Sequence, residues 1–107
     1  MALEPINQAS FDDKIRQANQ PLVIDFWLAD CPPCQMLEPR LETIAQAFDN
    51  RVSVYRLDIE KNPSIPERYN IMSIPMLLFF RHGEVVKRLD GLITHEDLKT
   101  AFDEVSA

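Results

Sequence analysis

The sequence predicts a three-layer α/β domain with a mixed sheet, and three observations carry that expectation. Strand-length apolar runs alternate with stretches whose apolar residues recur at helical spacing, an order that demands parallel pairing through right-handed crossovers. Residues 22–28 (LVIDFWL) are apolar almost throughout, which suits a central strand covered on both faces. Near the end, the strand-like segments 76–81 and 84–89 meet at His82-Gly83, a hairpin signal that adds antiparallel pairing.

The elements follow in order. A short first strand is expected near Leu3. Ser10 and Asp13 have the spacing of a capping box, with Phe11, Ile15 and Ala18 at helical spacing behind them and Pro21 as the stop. The apolar strand comes next. Leu37, Leu41, Ile44, Ala45 and Phe48 then mark a helix to about Asp49, with Pro39 inside it. That proline removes a hydrogen bond to Gln35 and is expected to kink the helix. Residues 52–59 are rich in β-branched and aromatic residues and predict a strand. Residues 62–69 read as a turn with a short helix. Thr94 and Asp97 cap a last helix whose apolar face is Leu98, Phe102 and Val105.

The 107 residues suffice for one domain, expected to span 1–107, and 46% hydrophobic content allows a core without staples. A net charge of -6 argues against nucleic acid and anionic membranes as partners. The N-terminus lacks a secretory pattern and no apolar run reaches spanning length, so the expected location is the cytoplasm. Structural disulfides are rare there, and a close cysteine pair is more often redox-active or metal-binding.

Both cysteines of the chain lie in one motif, Cys31-Pro32-Pro33-Cys34. It sits where the apolar strand ends and a helix begins, the usual place for a site in an open α/β sheet. Unpaired N–H groups and the positive dipole end there stabilise a thiolate at Cys31. Proline suits the first helical position, because its missing N–H has no partner to lose. Cys34 falls one turn inside the helix, where it can resolve a mixed disulfide formed at Cys31. Zinc needs about four ligands, and only the distant His82 and His95 are on offer; no metal is expected. An inert disulfide, or a pair of silent thiols, remains the bland alternative.

Asp25 interrupts the apolar strand. Burial would raise its pKa, and a carboxyl of that kind behind a dithiol can serve Cys34 as general base and acid. The alternative is a strand-end Asp that reaches solvent. Ile74-Pro75 opens a strand, where the missing N–H does no harm. On sequence alone a cis bond there is a minority outcome. Gly83 and Gly91 mark backbone conformations that side chains would oppose. His82 and His95 are expected at the surface, and Met36, Met72 and Met76 in packing or contact roles.

Taken together, these residues resemble the thioredoxin family. The resemblance runs through Val23-Ile24-Asp25-Phe26-Trp27, Cys31-x-x-Cys34, Met36, Pro39, residues 57–63 (LDIEKNP), Ile74-Pro75, Gly83-Glu84-Val85 and Gly91, in order and spacing over nearly the whole chain. It implies a five-stranded mixed sheet flanked by four helices, and a thiol–disulfide oxidoreductase acting on disulfides of protein clients. It implies Cys31 as nucleophile, Cys34 as resolving thiol and Asp25 as buried proton relay. It also implies a cis Ile74-Pro75 bond facing the dithiol. The substrate surface would comprise Trp27, Asp30, Pro32, Pro33, Ile74, Pro75 and Gly91. No cofactor is expected beyond the Cys31–Cys34 pair itself, with electrons supplied by an NADPH-dependent thioredoxin reductase; the expected state is a monomer.

Four positions depart from the family pattern. Asp30 stands where Trp is usual, Pro32 where Gly is usual, Met76 where Thr is common, and Arg56 where Lys is common near the buried carboxylate. Asp30 and Pro32 also support a second reading, a thioredoxin-fold interaction module with weak or atypical redox activity that binds a dedicated partner.

Overall fold

The apolar segment forms β2 (Leu22–Trp27), and β2 is the centre of the sheet. The computed structural model describes residues 3–107. Around β2 are β1 (Leu3–Pro5), β3 (Ser53–Asp58), β4 (Met76–Arg81) and β5 (Glu84–Asp90), in the spatial order β1-β3-β2-β4-β5. β1 and β2 pair parallel with β3; β2 with β4 and β4 with β5 pair antiparallel. The helices are α1 (Phe11–Gln17), α2 (Pro32–Ala47), α3 (Ser64–Arg68) and α4 (His95–Ser106). This is the expected three-layer arrangement, a five-stranded mixed sheet with four helices.

Side chains alternate along each strand, so β2 feeds two cores. Val23, with Leu77 and Phe79 of β4, packs under Leu37, Leu41 and Ile44 of α2 and Leu98, Phe102 and Val105 of α4. Leu22, Ile24 and Phe26 point the other way, to Phe11 of α1 and Ile65 of α3. Edge-on rings brace both layers: Phe102 against Phe48 and Phe79, and Tyr69 against Phe80. Because Asp25 alternates in step with Val23, its carboxyl faces the α2 side.

The helix starts differ from the sequence reading in one place. Thr94 Oγ1 accepts from the Asp97 N–H, and the Asp97 carboxylate accepts from the Thr94 N–H, completing the expected box. Ser10 caps no helical N–H through its side chain. Its own N–H and hydroxyl both donate to Asn7 Oδ1, at 2.9 and 3.0 Å, while Asp13 pairs with Arg16. Asn7 thus satisfies the turn locally, and the Ser10–Asp13 box does not form. Pro39 lies inside α2, which continues through it, and Thr43 Oγ1 donates to the Pro39 carbonyl. The β4–β5 turn holds His82 at φ 53 and Gly83 at φ 80, the pair of positive angles that a two-residue hairpin of matching twist requires.

Candidate active site

The dithiol stands where β2 hands over to α2. Cys31 is the N-cap of α2 in an extended conformation, with Pro32 and Pro33 in the first helical turn. The turn needs no N–H from either proline. Gln35 N donates to the Cys31 carbonyl, and the Gln35 amide donates to the Ala29 carbonyl, fixing the chain on both sides of the cap. The Cys34 N–H donates to Cys31 Sγ at 3.3 Å, so the sulfur occupies the place a capping oxygen would take. A thiolate at this atom gains from that donor and from the helix dipole. The two cysteines form a disulfide, their Cα atoms 5.3 Å apart, and both are 7% exposed.

Asp25 lies beneath α2 at 3% exposure, which removes the solvent-reaching alternative. Its Oδ1 has no hydrogen-bond partner. Burial pushes its pKa up to about 7; Arg56 works against that rise and Glu38 adds to it. Arg56 is its direct register partner on β3. Arg56 Nε is 3.7 Å from Asp25 Oδ2, and its terminal nitrogens donate to Glu38 at 3.4 and 3.5 Å. The guanidinium also lies over the Trp27 ring, 4.0 Å from its centroid. One cation is therefore shared between a buried carboxyl and a half-exposed one, and an aromatic face holds it in place.

The other expected residues gather at the same end of the sheet. Phe26 of β2 pairs with Met76 of β4, and Met76 with Asp90 of β5. This brings Trp27, Pro75 and Gly91 to one end, beside the start of α2. The Ile74-Pro75 bond is cis, as the resemblance implied; Pro75 is buried and Ile74 packs on the α1–α3 core. Gly91 has φ 73, a conformation that favours glycine, and it is exposed. Asp30, Pro32 and Pro33 are exposed around the dithiol, while Met76 turns inward and is buried. Met36 and Met72 are exposed. Among the described residues, no group of three or more His, Cys, Asp or Glu side chains gathers to hold a metal. None of the described helices is long and apolar enough to cross a membrane.

The sequence reading missed Glu38. Its signal was its position four residues after Cys34, which stacks it one turn along the same helix face.

A Cys-x-x-Cys disulfide at a helix N-terminus, with a buried carboxyl beneath the same helix, is the arrangement of a thiol–disulfide oxidoreductase. The thioredoxin family profile matches residues 2–104. Thioredoxins from Staphylococcus aureus strains Mu50, MW2 and N315 are each 35% identical over 104 residues, covering 97% of this chain and 98% of the relative. The chain belongs to the thioredoxin family.

Proposed function

We propose that this protein reduces disulfides in protein clients, cycling between the Cys31–Cys34 dithiol and the disulfide. The observation that carries the reading is the cysteine pair at the α2 N-terminus with buried Asp25 on the same side of the sheet. In the forward direction the Cys31 thiolate attacks a client sulfur. The client S–S bond breaks, one client thiolate leaves, and a mixed disulfide forms. Asp25 as carboxylate then accepts the Cys34 proton. Cys34 Sγ attacks Cys31 Sγ, the second client thiolate leaves, and the Cys31–Cys34 bond closes. The client gains two electrons and the dithiol loses two. Protons taken up by the departing thiolates complete the balance.

Client docking falls to the exposed surface around Asp30, Pro32, Pro33, Met36 and Gly91, with Trp27, Ile74 and Pro75 as its floor. The acidic Asp30 and the rigid Pro32-Pro33 pair make this a variant surface within the family, with a client set of its own. The reductive direction belongs with a cytoplasmic location and a thioredoxin reductase as electron donor.

The test is reduction of a protein disulfide followed by NADPH consumption, with and without thioredoxin reductase, and again with chemically reduced protein. Turnover with reductase is the expected result. Turnover with chemical reductant alone retains the dithiol chemistry and rejects the donor. No turnover under either condition overturns the reading in favour of a binding module.

A further inference from the structure

We propose that Glu38 is a positioning residue that keeps Asp25 in its proton-binding form by competing with it for Arg56. The inference rests on the reading of Asp25 as the proton acceptor for Cys34.

Arg56 cannot fully serve both carboxylates. Its two terminal nitrogens face Glu38, each with a different carboxylate oxygen, at 3.4 and 3.5 Å. The Nε–H side is left toward Asp25 at 3.7 Å, beyond hydrogen-bond reach, and this buried Nε has no hydrogen-bond partner. Asp25 Oδ1 is likewise buried and unpartnered. The Arg56 Nε donor and the Asp25 carboxyl therefore face each other without a hydrogen bond, at 3.7 Å through Oδ2. Glu38 holds the fork, and the Trp27 ring beneath it restrains the plane.

The groups facing Asp25 come from each neighbouring element. β3 supplies Arg56 and α2 supplies Glu38, with Cys34 one turn earlier on the same helix and held in the disulfide. β4 presents Leu77, which does not titrate. Arg40 of α2 is committed to the Ile93 carbonyl. Glu38 acts on Asp25 in two ways with the same sign: its negative charge opposes a second one nearby, and its grip on Arg56 withholds the compensating cation. Its side chain is 41% exposed, so the influence reaches the site from the surface. A half-exposed residue thus sets how readily the buried carboxyl takes the resolving thiol's proton.

The experiment is a direct titration of the Asp25 side-chain carboxyl by carbon NMR in the oxidised protein, where the cysteines carry no titrating thiol. Glu38→Gln is expected to lower the Asp25 midpoint by roughly half a unit to one unit. Glu38→Asp, which keeps the charge, is expected to retain most of the original midpoint. In the reduced protein, the acidic limb of the exchange-rate profile should move to lower pH by the same amount in Glu38→Gln. An unmoved or raised midpoint in Glu38→Gln overturns the proposal, and so does an equal fall in Glu38→Asp. Failure of the underlying reading has a separate signature. The Asp25→Asn rate profile would match that of the unmodified protein, while the carboxyl midpoint in Glu38→Gln still moved.

Discussion

Asp25 and Arg56 face each other across β2 and β3 in direct register, with 3.7 Å between Oδ2 and Nε. The spacing leaves the carboxyl only partly compensated, so burial dominates its proton affinity. Below about pH 4 the carboxyl is protonated in both folded and unfolded chains and costs nothing. From there to about pH 7 the folded chain keeps a proton that the unfolded chain has released, and stability falls as pH rises. Above the folded pKa the loss is complete, at up to about 4 kcal/mol. Asp25→Asn removes this loss. Urea unfolding of the oxidised proteins should find the variant about 2–4 kcal/mol more stable at pH 8 and equal near pH 4.

The same substitution should cost activity. On the proposed role of Asp25 as proton acceptor for Cys34, resolution of the mixed disulfide should slow near neutral pH by on the order of 100-fold, the lower end of general acid–base effects. Stopped-flow exchange of the reduced protein with a disulfide substrate across pH 6–9 measures it.

Asp30 precedes the N-cap sulfur by one residue and is exposed. Its carboxylate opposes the pull of the helix N-terminus on the Cys31 thiolate. Asp30→Asn should lower the Cys31 pKa, with a shift that shrinks as salt rises. Thiolate absorbance titrated in both proteins reads it. Identical midpoints at low salt would confine Asp30 to docking.

The packing that carries the site can be tested away from it. Phe102 is fully buried between Phe48 and Phe79, and Phe102→Ala should destabilise by about 3–5 kcal/mol in urea unfolding. Thr94→Ala breaks the α4 capping box and should cost about 1 kcal/mol. Ser10→Ala, where no cap bond to the helix exists, should cost less than Thr94→Ala.

Much of the fold was legible because local and long-range signals agreed. The continuous apolar run of β2 announced a strand buried on both faces, and Thr94 with Asp97 announced the start of α4. Ser10 with Asp13 carried the same signal and failed, because a competing acceptor, Asn7 Oδ1, lay three residues upstream. The pairing of Cys31 with Cys34 was legible from their spacing, and the burial of Asp25 from its placement in an apolar strand. The cis bond at Pro75 was not legible from the residues, since cis is intrinsically the minor form; it came from the family resemblance. Glu38 was hidden for another reason. Its role depends on where the Arg56 guanidinium goes, and sequence spacing does not fix that across two elements.

The most direct test of Cys31 as nucleophile and Cys34 as resolving thiol is mass spectrometry of trapped adducts. Reduced Cys34→Ser is incubated with a disulfide-containing protein and the products are mapped. Without the resolving thiol, the mixed disulfide should accumulate with one client joined through Cys31. Cys31→Ser should trap none and show only background exchange. An adduct through Cys34 in Cys31→Ser, with none in Cys34→Ser, would reverse the roles assigned to the two sulfurs.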